Sequence, residues 1–222
     1  MSSDHQAPPP LYFFATSRGG TTLDQGEGGG NPFAGALVEL LDRKRLTLRA
    51  LRSALGDLTE RKSRGWQHPD LPALAELPAR QFLPKRTAEV RVALVLVFSD
   101  YSASGMQPLE GARHDAKRVA SALRRAGFVT RATVDPTRSA LSVMLRGFAT
   151  RSAKADVALV YTTGHGVDVS GRVYVLPGDY PISRGNEALP TLALGLTDLG
   201  LSARAKRCNL VFYAGCRNNP FG

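Results

Sequence analysis

Between residues 90 and 213 four apolar runs of strand length alternate with segments of helical pattern. The runs are 90–98, 128–134, 156–161 and 208–213, and the helical segments are 111–127, 136–150 and 191–205. Parallel neighbours need a crossover, usually a helix, that covers a face of the sheet. Near-continuous apolar strands separated by helices therefore predict a mostly parallel sheet buried on both sides. The expected class is α/β, built as three layers, helix on sheet on helix. Asp135 and Pro136 read as a helix start. Ser170-Gly171, between 167–169 and 172–176, reads as the turn of a hairpin.

The first 89 residues are less regular. Residues 1–10 are polar and proline-rich and read as a disordered leader. Residues 11–16 (LYFFAT) form another run of strand length, bounded by Pro10 and Gly19-Gly20. Six glycines and no apolar period in 17–30 predict a mobile loop, a candidate gate over a cleft. Asn31 reads as a helix cap with Pro32 in the first position, and Phe33, Ala36, Leu37, Leu40 and Leu41 make the apolar stripe. A second helix is expected over 46–62, with Leu48, Leu51, Leu55 and Leu58 on one face. Residues 68–89 hold four prolines and read as a connection with one short strand at 81–83.

Two strand ends carry reactive side chains. Tyr161-Thr162-Thr163-Gly164-His165-Gly166 closes one run, and Tyr213-Ala214-Gly215-Cys216-Arg217 closes another. In an open parallel sheet the carboxyl ends of strands share one rim, where sites collect. His165 and Cys216, 51 positions apart, are thus expected together. A free thiol is mostly protonated at neutral pH, with a pKa near 8.5, and a neighbouring imidazole activates it. Cys216 is the candidate nucleophile and His165 its base and later acid. Cys208, at the start of its strand, reads as a small buried filler.

Several segments resemble the caspase-like cysteine peptidases, which comprise caspases, metacaspases and bacterial orthocaspases. Residues 93–101 followed by Leu109-Glu110-Gly111-Ala112-Arg113-His114-Asp115-Ala116 resemble the family's first strand and the helix start after it. Gly164-His165-Gly166 resembles the histidine box, and Tyr174-Val175-Leu176-Pro177-Gly178-Asp179 the strand that follows. Cys216-Arg217-Asn218-Asn219-Pro220-Phe221 is similar to the bacterial cysteine box. Residues 12–16, 23–34 and 64–69 resemble elements that normally come after that box. The resemblance implies a circularly permuted order within one domain, 11–222. A small-subunit-like half, 11–83, is joined by 84–89 to a large-subunit-like half, 90–222. It also implies six strands in the order 2-1-3-4-5-6, the last antiparallel at one edge. The joining segment then crosses four strand spacings, about 19 Å. Its six residues reach about 20–22 Å, so a taut connection is expected, or else a swapped dimer.

In function, the resemblance implies a cysteine endopeptidase acting through a Cys216–His165 dyad and an acyl-enzyme. Backbone N–H groups of Gly166 and Cys216 would hold the oxyanion. Asp115 stands where metacaspases hold an arginine or lysine of the substrate, so a basic residue is expected before the scissile bond. The second such position is Ala214 here, which leaves Asp179 as a candidate helper. The alternative reading is a catalytically inactive caspase-like module that binds partners.

Composition narrows the partners. The net charge of +10 arises from 29 Lys and Arg against 19 Asp and Glu, yet the longest basic run is Arg43-Lys44-Arg45. No aromatic residues interleave with a basic stripe, so the charge reads as scattered over helix faces and no nucleic-acid partner is expected. No run approaches the roughly 20 apolar residues of a membrane span, and the leader lacks the features of a signal peptide. Two cysteines give no disulfide framework, so a reducing cytoplasm is expected. A peptide or protein substrate is the expected partner. No cofactor or metal is expected, and no residue cluster indicates calcium activation. Monomer and dimer both stay open.

Overall fold

The computed structural model describes residues 7–26, 28–83 and 88–222. Residues 1–6 of the expected leader, Glu27, and 84–87 of the expected joining segment lie outside them. The chain begins with β1 (Leu11–Phe14), α1 (Pro32–Leu41), β2 (Leu46–Thr47), α2 (Leu48–Lys62) and β3 (Gln81–Leu83). The alternating part follows: β4 (Arg91–Val97), α3 (Glu110–Arg125), β5 (Val129–Val134), α4 (Arg138–Ser152) and β6 (Val157–Thr163). A hairpin of β7 (Gly166–Val169) and β8 (Arg172–Val175) comes next, then α5 (Leu189–Leu192), β9 (Leu194–Gly195), α6 (Leu196–Ser202) and β10 (Cys208–Tyr213).

The five longer apolar runs pair into one all-parallel sheet in the order β1-β10-β6-β4-β5. Alternate side chains of each strand go to opposite faces. Phe13, Val95, Leu159, Tyr161, Leu210 and Phe212 meet Leu37 and Leu40 of α1, Leu51 and Leu55 of α2, and Val119 and Leu123 of α3. Leu94, Leu96, Val160 and Val211 meet Phe148 of α4, Leu196 and Leu199 of α6, and Val173 and Val175 of β8. Each fully buried leucine contributes roughly 1.5–3 kcal/mol. This is the three-layer α/β arrangement the run pattern implies.

Four details differ from the sequence expectation. The sixth, antiparallel strand is reduced to one bridge, Phe14 with Asp70, with N–H···O distances of 2.8 and 3.1 Å. Residues 81–83 do not fill that place. They pair antiparallel with β2 in a separate ribbon. Arg80 there meets Glu89, and Arg91 Nη2 donates to the Phe82 carbonyl. Phe82 and Arg91 therefore lie side by side. Asp135 does not cap α4; Thr137 does, accepting from Ala140 N at 3.3 Å. The expected helix 191–205 is split, because β9 leaves it to extend the hairpin beside β8.

The loop expected to be mobile is anchored instead. Gly19 N donates to Arg217 O at 3.0 Å, and Arg217 N donates back to Gly20 O at 2.8 Å. Leu23 N donates to Gln67 Oε1, and the Leu23 carbonyl accepts from Asn31 Nδ2. The Asp24 carboxylate accepts from Gly111 N and Ala112 N at 2.9 and 3.0 Å. Asp24 thus caps α3, whose own N-cap residue, Leu109, has no side-chain acceptor. Gly111 is required there, since a Cβ would overlap the Asp24 carbonyl.

Candidate active site

His165 and Cys216 follow the carboxyl ends of β6 and β10, which are hydrogen-bonded neighbours with Tyr213 opposite Thr162. The two following loops run side by side. Thr163 Oγ1 donates to Ala214 O at 3.0 Å, and Asp168 N donates to Asn218 O at 3.2 Å. Glycine permits this approach: a Cβ on Gly166 would stand 2.6 Å from Cys216 O, and one on Gly215 2.7 Å from Gly164 O. Both reactive side chains are half-buried on this shared edge.

The imidazole is held from below and behind. His165 N donates to Tyr101 Oη at 2.7 Å, and Tyr101 Oη donates to Leu176 O at 3.0 Å. Burial pushes the Tyr101 phenol up, so it stays protonated and available for both bonds. The two rings meet edge to face with centroids 4.5 Å apart. His165 Nε2 lies 2.8 Å from the Gln107 carbonyl oxygen. A carbonyl only accepts, so Nε2 carries the hydrogen and Nδ1 of the neutral ring is left as the basic nitrogen.

The thiol meets donors. Thr22 N donates to Cys216 Sγ at 3.3 Å, and Thr22 Oγ1 stands 3.6 Å from the same sulfur. Tyr213 Oη donates to Cys216 O at 3.0 Å and fixes that peptide. Cys208 contrasts with this setting: burial pushes its thiol up to about 11, the environment of an inert packing residue.

The residue after the cysteine binds three elements together. The Arg217 guanidinium is buried and lies 4.0 Å from the ring centroid of Phe14 on β1. Its Nε and Nη2 both donate to Asp168 Oδ2 on β7 at 3.2 Å, and Nη1 donates to Asp70 Oδ2 at 2.6 Å. Asp168 also accepts from Gly171 N in the hairpin turn at 2.8 Å. The planar fork of arginine suits this triple role. The sequence assigns no role to Thr22, Gln107 or Arg217, because each acts through a partner far along the chain.

The residues expected to bind substrate fall in three different places. Asp115 lies on α3 with 0% exposure. Its Oδ2 accepts from Asn31 N at 2.8 Å, and its Oδ1 faces Arg118 at 3.3 Å. Desolvation pushes its carboxyl up to about 7. As folded, both of its oxygens face partners within the protein. Ala214 is buried in the core under α1 and carries no polar side chain. Asp179 is exposed, and lines a separate cleft of about 260 Å³ with Phe98, Asp100, Asp135 and Pro177. Neither His165 nor Cys216 lines that cleft.

Among the described residues no group of three or more His, Cys, Asp or Glu is arranged to hold a metal ion. None of their helices is long and apolar enough to cross a membrane. No curated protein matches the chain. Residues 90–219 match the family model of the caspase domain, peptidase family C14. That match spans more than half of the 222 residues and contains both the histidine and the cysteine strand ends, and the chain belongs to this caspase-domain family of cysteine peptidases.

Proposed function

We propose that the protein is a cysteine endopeptidase working through Cys216 and His165. The observation that carries this reading is the pairing of the two strand ends, with the Gly166 backbone against the Cys216 carbonyl. His165 Nδ1 takes the thiol proton, and the sulfur bonds to the scissile carbonyl carbon. The Gly166 and Cys216 N–H groups are proposed to hold the oxyanion. His165 returns its proton to the departing amine as the C–N bond breaks. Water, deprotonated by the same nitrogen, then attacks the thioester, and the C–S bond breaks to release the acid. Thr22 N–H is proposed to stabilise the thiolate between these events.

The side chain preferred before the scissile bond is a separate question. Asp115 would favour lysine or arginine once residues 28–31 withdraw from it. As folded, Arg18 stands beside the cysteine box, next to the Gly19–Arg217 hydrogen bond, but faces Asp168 Oδ1 at 3.8 Å, so an acidic substrate side chain would compete with Asp168 for it. The order of elements is proposed to be a circular permutation of the family's, supported by β1 lying parallel to β10 at the place where a strand following the cysteine box belongs.

The test is a panel of fluorogenic peptide amides ending in Arg, Lys or Asp, assayed on wild type, Cys216→Ala and His165→Ala. Hydrolysis that falls by roughly 10³-fold or more in both variants is expected. An inactive binding module is favoured by the sealed Asp115 and by Ala214. That reading predicts no turnover of any substrate, and no labelling of Cys216 by peptidyl chloromethyl ketones.

A further inference from the structure

The central sheet has two edges, and the protein treats them differently. At β1 the edge is covered by the Phe14–Asp70 bridge and the stacked Arg217. At the other edge β5 pairs only with β4 among the described residues. Such an edge offers a row of N–H and C=O groups to any strand of suitable chemistry. Next to it a groove of about 830 Å³ runs between β5 and α4, lined by Arg124, Thr130, Arg131, Thr133, Val143 and Met144 among others. Val129 and Val143 are 70% and 63% exposed.

The groove is basic: Arg124 and Arg131 line it with no carboxylate among its lining residues, and Arg138, Arg146 and Arg151 lie on α4. Asp135 is occupied by Ser99 N, Ser99 Oγ and Asp100 N, with Arg113 at 3.5 Å. Arg151 Nη2 is buried with no hydrogen-bond partner among the described residues. Burial first, and then the charge of Arg131, lower the pKa of Arg151. Like charge on both sides disfavours docking of a second copy through this edge. No aromatic side chain lines the groove to stack a base.

We propose that the β5 edge and the β5–α4 groove dock an extended acidic segment of a partner polypeptide by strand addition. Its backbone pairs with β5, its carboxylates meet Arg124 and Arg131, and its apolar side chains lie on Val143 and Met144. The surface is three strand positions from β10, about 14 Å, so it stands independently of the peptidase reading.

The test uses the full chain and fluorescence anisotropy of labelled Glu-Val-Glu-Val-Glu-Val-Glu, with mass spectrometry to check that the peptide stays intact. Saturable binding is expected, weaker by about tenfold or more for the equally charged Glu-Pro-Glu-Pro-Glu-Pro-Glu, which cannot complete a ladder. Arg131→Glu and Val143→Asp, both at exposed positions, should weaken it similarly, while circular dichroism stays that of the wild type. Equal binding of the two peptides would reduce the surface to bulk charge and overturn the proposal. So would no binding of the valine peptide at roughly 1 mM, no effect of Arg131→Glu, or tighter binding of single-stranded RNA or phosphatidylserine vesicles.

Discussion

Replacing Asp115 by asparagine should change how the stability of the protein depends on pH. In an unfolded chain this carboxyl titrates near 3.8; in the fold desolvation raises it to about 7, against the opposing pull of Asn31 N–H and Arg118. Between those values the folded state holds a proton that the unfolded state has released. Stability therefore falls as pH rises through this window. Below it the residue costs nothing, and above it the full cost applies. A shift of roughly 3 units at ~1.4 kcal/mol each gives about 4 kcal/mol, a large share of the ~5–15 kcal/mol typical of a whole domain. Asparagine cannot ionise, yet its Oδ1 can still accept from Asn31 N. Urea unfolding of wild type and Asp115→Asn in half-unit steps from pH 4 to 8.5 isolates this group, because the other titrations cancel in the difference. The stability of the variant relative to wild type should climb by about 3–4 kcal/mol across the range. A flat difference, or one that falls with pH, would show that Asp115 is not held in the desolvated site described.

Two further predictions concern the cysteine loop. Thr22→Val removes the hydroxyl 3.6 Å from Cys216 Sγ, and the rate of Cys216 alkylation by iodoacetamide at neutral pH, read by mass spectrometry, should fall by about tenfold. Thr22→Ser should restore it, and an unchanged rate in the valine variant would remove Thr22 from the sulfur's support. Arg217→Met leaves the buried Asp168 carboxylate with only the largely exposed Arg18 at 3.8 Å as a charged partner and should cost about 3–5 kcal/mol, a fall in Tm of about 6–20 °C. Arg217→Lys should recover only part of that, because an ammonium cannot face Asp168, Asp70 and the Phe14 ring at once; full recovery in a thermal melt would contradict the fork geometry.

What could be read from sequence was governed by range. The apolar runs around Val95, Leu159 and Leu210 announce buried parallel strands, because their burial pattern is local. The Ser170-Gly171 turn is equally local, and both residues take the positive φ it requires. His165 and Cys216 could be placed on one rim because parallel strands put their carboxyl ends together. The glycine-rich loop reads as mobile from sequence because the partners of Thr22, Leu23 and Asp24, namely Cys216, Gln67 and Gly111, lie 194, 44 and 87 positions away. Asp115 was placed at the right position in a helix, but whether its oxygens face a cleft depends on Asn31, 84 residues earlier. Residues 81–83 have strand composition, and only tertiary structure decides whether they join β1 or β2.

Thr22 and Asp24 are two positions apart, yet one touches the sulfur and the other holds the start of α3. A peptide that displaces the first pulls on the second, and a helix cap of this kind is worth about 1 kcal/mol. Occupancy of the cleft and firmness of that helix end are thus weighed on the same balance.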